Sequence, residues 1–261
     1  MDPRLTGLKL HTLLLCLSDL LMPRVCLVCG RQLLPSERHL CIECEADLPL
    51  THFETMPRNP MADTFNGRLL AAGDGAGAYQ YATALFHYVS GSGYDYIPQA
   101  LKYDRNFPAG RHFARLLGRN IASAGHFADV DLVCCVPLHW TRRFGRGYNQ
   151  AEIIAREVYR VLSSSRELHF EPSLLRRTRR TRSQTRVGVE EKAGNVQGAF
   201  RARRGSGTPR HILLVDDVFT TGSTLASCTL ALREAFGAQV RISVATLGNV
   251  QRSSDFLYVG K

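Results

Sequence analysis

The stretch Leu213 to Leu225, LLVDDVFTTGSTL, sets an aliphatic run against two adjacent carboxylates and then a hydroxyl-rich turn with one glycine. A packed strand has no use for Asp216 and Asp217, because burying unpaired charge is expensive. They are tolerable where the strand ends and its carboxyl end opens into a crevice, the edge at which open α/β sheets bind ligands. Thr220, Thr221, Gly222, Ser223 and Thr224 then read as an anion cradle. Gly222 permits a φ that other residues resist, and the hydroxyls and first amides of the following helix point at a phosphate. The ligand this pattern fits is a sugar phosphate, with the acids on ribose hydroxyls and the loop on the phosphate. Three plainer readings compete. A Walker B strand would need a G-x-x-x-x-G-K-[ST] loop, and the only Gly-Lys pair is Gly260-Lys261. A dinucleotide site would need G-x-G-x-x-G, which GDGAG at Gly73 to Gly77 does not match. A helix merely capped by Thr221 or Ser223 explains neither acid.

A second group of residues suits a metal. Cys26-x2-Cys29 and Cys41-x2-Cys44 are separated by eleven residues. Each C-x-x-C turns two thiolates toward one point, and two such knuckles make a tetrahedral site for structural Zn²⁺. Gly30, directly after Cys29, fits the tight turn of a knuckle. The competing reading is two disulfides in a secreted protein. His39 is an alternative ligand that a full set of four cysteines makes unnecessary. Cys134, Cys135, Cys16 and Cys228 lie in apolar runs or helical patterns and read as core.

A third group is basic. From Arg142 to Arg210 there are 17 Lys plus Arg against 6 Asp plus Glu, a local balance of +11 in a chain whose net charge is +10. All of the excess sits in this segment, which fits polyphosphate or nucleic acid, or a solvated basic face. Within it, VPLHWTRRFGRGYNQAE (Val136 to Glu152) runs from a strand end through an Arg- and Gly-rich turn into a helix. Arg142, Arg143 and Arg146, with the amides around Gly145 and Gly147, are positioned to hold a second anion such as pyrophosphate. Asn149 and Gln150 fall on the first helical turn. Arg176 to Phe200 has no apolar stripe and reads as a flexible loop that closes over a phosphate-rich ligand.

The elements that must position these groups follow from hydropathy. The 261 residues, 44% hydrophobic and 21% charged, suit one large domain with a small appendage. Residues 8 to 22 carry leucines at helical spacing. The run is interrupted by Asp19 and too short to span a bilayer, so we expect an amphipathic helix packed on a cytoplasmic protein, with no membrane insertion. Residues 23 to 50 form the zinc-ribbon-like module, and 51 to 70, with two prolines and no period, read as a linker. Strands are expected at Gly77 to Tyr81, Asp131 to Leu138, His211 to Asp217 and Val240 to Leu247. Helices are expected at Tyr94 to Tyr103, Pro108 to Ala124, Tyr148 to Leu162 and Ser223 to Phe236. Residues 171 to 198 read as loop and 251 to 261 as tail. Alternating strands and helices over 71 to 250 imply α/β class with a mostly parallel sheet.

These motifs carry a family resemblance. LLVDDVFTTGST resembles the phosphoribosyl pyrophosphate (PRPP) signature of type I phosphoribosyltransferases, with Phe219 where an aliphatic residue is usual. Together with the two-knuckle module, ALKYD, VPLH…RGYNQ, RTRSQ (Arg180 to Gln184) and NVQGAF, it resembles the ComF (competence protein F) family over roughly residues 20 to 248. Members often carry Arg three residues before the Asn of the NV motif, and here Lys192 precedes Asn195. Many also carry a second pair of C-x-x-C knuckles, absent from this sequence.

The resemblance implies a type I phosphoribosyltransferase fold. Asp216 and Asp217 would sit at the catalytic position, with Mg²⁺ accompanying PRPP. The loop residues Arg180, Arg182, Gln184, Lys192 and Asn195 would border the site. It also implies a role in DNA uptake and natural transformation, with single-stranded DNA and DNA-uptake helicase or recombination-mediator proteins as partners. An active transferase in nucleotide or cofactor salvage is the alternative, and a protein-docking adaptor built on the zinc module and leading helix is a third. No segment reads as a hood for the acceptor. Arginines beside Trp140, Phe144 and Tyr148 fit a DNA backbone and stacked bases as well as they fit pyrophosphate.

Overall fold

The computed structural model describes residues 23–74, 78–138, 147–178, 198–204 and 207–250. Five strands form one sheet: β1 (Ala82–Tyr88), β2 (Leu132–Cys135), β3 (His169–Phe170), β6 (His211–Phe219) and β7 (Arg241–Val250). Their order is β1-β7-β6-β2-β3 and every pairing is parallel. The expected α/β class and parallel sheet are therefore observed. A separate antiparallel ribbon pairs β4 (Leu175–Arg177) with β5 (Phe200–Ala202). Among the described residues no helix is long and apolar enough to cross a membrane.

Both faces of the sheet are covered, which is why its strands read as continuous apolar runs. Alternate residues of β6 enter different cores. Leu213 and Val215 join the cluster that holds Phe113, Leu117, Ile154 and Val158 from α4 (Phe107–Ser123) and α5 (Gln150–Leu162). Ile212 and Leu214 join the opposite cluster, with Met61, Phe65 and Leu69 of α2 (Pro60–Ala71) and Leu225 and Leu232 of α6 (Ser223–Phe236). Burying each such side chain contributes about 1.5–3 kcal/mol. α3 (Tyr96–Tyr103) precedes α4, and a short helix, α1 (Ile42–Ala46), follows the second cysteine knuckle.

Three expectations need correction. Residues 51–70 are not a bare linker. Asn59 caps α2 by accepting from the Ala62 amide at 2.9 Å, Pro60 occupies the first turn, and Met61, Ala62, Phe65 and Leu69 are buried. Asn-Pro is a helix-start signal, and here it outweighs the reading of proline as a breaker. Among the described residues the first strand is Ala82–Tyr88, and residues 78–81 of the expected Gly77–Tyr81 strand precede it. Ala82 to Phe86 are buried in succession, while the Gln80 side chain ahead of them accepts from the Ile242 amide at 2.7 Å. Within 171–198, residues 171–178 hold β4, because Leu174 and Leu175 are buried with Phe200. The leading helix, the tail and residues 142–146, 179–197 and 205–206 of the basic segment lie outside the described residues.

The cysteine module rests on this body. Leu33, Leu40, Cys26 and Cys41 belong to the same core as Phe113. Tyr94 donates to the Cys44 carbonyl at 3.2 Å, and the Thr51 and His87 amides donate to Leu85 and Pro49 across the edge of β1.

Candidate functional site at the carboxyl edge of the sheet

β6 carries Asp216 and Asp217 to the carboxyl edge. Residues 211–215 are buried and 216–218 are half-buried, so the strand emerges from the core where the acids begin. The Asp217 amide donates to Asp216 Oδ1 at 2.9 Å. Burial first, and the neighbouring Asp217 charge second, push the Asp216 carboxyl up to about 7. Lys102 Nζ stands 2.8 Å from Asp217 Oδ2. A cavity of about 250 Å³ opens here, lined by Lys102, Tyr103, Pro137, Asn149, Gln150, Arg177, both aspartates and Thr224.

The turn after β6 is shaped by its glycine. Gly222 has φ 72°, and a Cβ added there would lie 2.9 Å from the Phe219 ring, so both backbone and packing demand glycine. Gly222 itself is the residue preceding α6, with no side-chain cap. The reading of Thr221 or Ser223 as a cap is thereby set aside; their hydroxyls lie 3.0 Å from each other. Thr220 is exposed, and Thr221, Ser223 and Thr224 are half-buried. The first amides of α6 thus face the turn with no side chain assigned to them. Arg68 of α2 donates to the Thr221 carbonyl at 3.2 Å and fixes the turn from below.

The Gly147–Gln150 segment completes the wall. Asn149 donates to the Val136 carbonyl at 3.0 Å, joining the start of α5 to the end of β2. Gln150 is 2% exposed, lines the cavity, and its Nε2 has no hydrogen-bond partner among the described residues. Tyr148 does not serve as a free stacking platform: its hydroxyl donates to the Leu101 carbonyl at 2.5 Å and its ring meets Phe107 edge-on. Gly147 has φ 80° and is exposed. Arg142, Arg143, Arg146, Trp140 and Phe144 lie outside the described residues, as do Arg180, Arg182, Gln184, Lys192 and Asn195.

The structure therefore brings together the acid pair, Thr224 at the end of the turn, and Asn149 and Gln150 at the start of α5. It adds Lys102 and Arg68, to which no role had been given, and places Arg177, expected in the flexible loop, in β4 at the cavity wall. Lys102 lies in the ALKYD motif, so its position was marked while its contact was not. A larger cavity of about 560 Å³ lies at the opposite edge, by Asp131, His169 and Arg210. It faces the amino ends of the parallel strands, where such sheets rarely bind ligands.

Sγ atoms of Cys26, Cys29, Cys41 and Cys44 all lie within 4.8 Å of one another. Four sulfurs around a tetrahedral zinc, at a Zn–S distance of about 2.3 Å, stand about 3.8 Å apart, and Cys29 and Cys41 are 3.7 Å apart. All four are free thiols, which removes the disulfide reading. The Gly30 turn at φ 73° closes through its amide on the Cys26 carbonyl at 3.0 Å. The Cys44 amide, donating to Cys41 Sγ, leads in drawing that thiol down to about 6. This cluster can hold a metal such as zinc. His39 packs on the His112 ring instead, with centroids 5.1 Å apart. Cys134, Cys135 and Cys228 are buried in the core as expected.

No family model matches the chain. It is 28% identical over 149 residues to competence protein F of Haemophilus influenzae, covering 55% of this chain and 63% of that protein. It is 29% identical over 157 residues to the DNA utilization protein YhgH of Escherichia coli, covering 57% of this chain and 67% of that one. The same protein of Salmonella typhi is 27% identical over 157 residues. The matches span just over half of this chain, less than the motifs suggested, and less than two thirds of competence protein F. In these matches, as in the motifs quoted above, the chain is similar to competence protein F and the DNA utilization proteins.

Proposed function

We propose that the chain binds a phosphoribosyl ligand of the PRPP type at the carboxyl edge of β6 and works in the uptake or handling of DNA. The observation that carries the ligand is the cavity itself. It joins two half-buried acids, the uncapped start of α6 and the unpartnered Gln150 amide in one space of about 250 Å³. Carboxylates accept from vicinal hydroxyls, and hydroxyls with helix amides donate to a phosphate, so ribose lies over Asp216 and Asp217 with its 5′-phosphate on Thr220–Thr224. Arg142, Arg143 and Arg146 are assigned to the pyrophosphate, whose charge Mg²⁺ would neutralise. Where an acceptor is present, the C1–O bond to pyrophosphate breaks through an oxocarbenium-like centre and the acceptor bonds to C1. Fixed charges around the leaving group lower that barrier. The four cysteines hold zinc as a structural ion, and metal analysis of the purified protein tests this.

Calorimetric titration of PRPP with Mg²⁺ into wild-type protein and an Asp216→Asn, Asp217→Asn variant is the test. Saturable binding lost in the variant is expected; no binding to folded wild-type protein overturns the reading.

The DNA role rests on the relatives, which are named for competence and DNA utilization, and on the +11 balance of residues 142 to 210. Single-stranded DNA is the partner this charge fits. Arg179→Gln, Arg180→Gln and Arg182→Gln together should weaken oligonucleotide binding and flatten its salt dependence. An unchanged salt slope in an anisotropy titration removes these arginines from the contact.

A further inference from the structure

The acid pair already has a cation. Lys102 Nζ lies 2.8 Å from Asp217 Oδ2, and the two side chains are only 23% and 17% exposed, so solvent screens the pair weakly. The lysine is delivered by a held element. α3 buries Ile97 and Leu101, and Tyr148 donates to the carbonyl of Leu101 at 2.5 Å and approaches that of Lys102 at 3.3 Å. Phe107 braces the Tyr148 ring at 4.8 Å. The first described residues of the RGYNQ motif therefore position the last turn of α3, and through it the ammonium.

We infer that Lys102 is the resident cation of the acid pair, so that the ribose 5-phosphate portion of the ligand binds with no divalent metal on Asp216 or Asp217. This rests on the phosphoribosyl reading above and fixes where a metal is needed: with the pyrophosphate, away from the aspartates. The donor count supports it. An ammonium has three N–H groups; one meets Asp217 Oδ2, leaving two for ligand oxygens. Asp217 Oδ1 remains to accept from a ribose hydroxyl. A dication on the same carboxylates would stand beside the ammonium and be repelled by it. Arg177, in the same cavity wall, adds to that repulsion.

Ribose 5-phosphate, which lacks pyrophosphate, is the probe. Calorimetry on wild-type protein in EDTA and in excess Mg²⁺ should give the same affinity. Lys102→Met should bind about tenfold more weakly in EDTA, the loss of one charge-assisted contact, and regain affinity with Mg²⁺. Lys102→Arg should retain metal-free binding. Paramagnetic resonance of Mn²⁺ should show a bound ion in Lys102→Met and none held at the pair in wild type. Should Lys102→Met fail to fold, the wild-type comparison in EDTA decides alone. Ribose 5-phosphate binding that disappears in EDTA, or a tight Mn²⁺ site in wild type, overturns the inference while PRPP binding leaves the phosphoribosyl reading standing. Absence of binding by either sugar phosphate removes both.

Discussion

At the start of β6, His211 is buried with Nδ1 2.7 Å from Asp129 Oδ1 and Nε2 2.8 Å from Ser243 Oγ. Asp131 accepts from the amides of Arg210 and His211, and Asp129 also pairs with Arg241. At the end of the same strand, Asp216 and Asp217 are half-buried beside Lys102, and the neighbouring Gln150 amide has no partner. One strand thus carries ionisable groups at both ends with opposite treatment. At the amino end each group is used by another part of the fold. At the carboxyl end hydrogen-bonding capacity is left over. Buried polar groups that are satisfied stabilise, and those left incomplete are costly unless something else completes them.

The comparison predicts that damage at the two ends separates stability from binding. His211→Ala strands the buried Ser243 hydroxyl and opens a cavity, and should cost about 2–4 kcal/mol in urea unfolding. PRPP affinity of the folded protein should not change; a weakened affinity would mean the ends are coupled. Gly222→Ala forces a side chain onto a positive φ and against Phe219, and should cost about 1–2 kcal/mol while weakening phosphate binding. Adding Phe219→Leu should relieve the contact but not the backbone strain. Full recovery in that double variant would show that packing alone demands the glycine.

The last effect has the opposite sign. Asp216 is raised in the fold to about 7 from an ordinary 3.8. Between these values the folded state holds a proton that the unfolded state has released, so this residue's contribution to stability is full below about pH 4 and lost as pH rises to 7. Asp216→Asn should therefore be more stable than wild type at pH 8, by roughly 1–2 kcal/mol after allowance for its solvent contact, and the gain should vanish toward pH 4. A gain independent of pH would mean ionisation is not its source.

Legibility in the sequence followed the same division. β6 and α6 were readable because an aliphatic run, two acids and a glycine turn occur consecutively, and α6 begins and ends at Ser223 and Phe236 as expected. The cysteine cluster was readable because ligand spacing is local. Lys102 was not, since its contact with Asp217 joins residues far apart in sequence and depends on how α3 is held. Tyr148 was assigned to stacking because an aromatic ring among arginines suits nucleic acid, whereas the fold uses its hydroxyl as a tie to α3. The helix Pro60–Ala71 was obscured by prolines, although Asn59-Pro60 marks its start. Its Arg68, which braces the phosphate turn, was hidden with it.

The strand order has a consequence for biosynthesis. β7 lies between β1 and β6, pairing Ala82 with Val244 on one side and Ile212 with Ile242 on the other, yet among the described strands it is the last to leave the ribosome. Until it arrives, the nascent chain exposes one unpaired edge on β1 and another on β6, the kind of surface that recruits foreign strands. Commitment to the fold must wait for β7, and pairing of such distant partners is slow. A message truncated before Arg241 would leave β1 without its sheet partner beside a three-stranded β6-β2-β3 sheet, with both cores incomplete, a product suited to proteolysis and to aggregation.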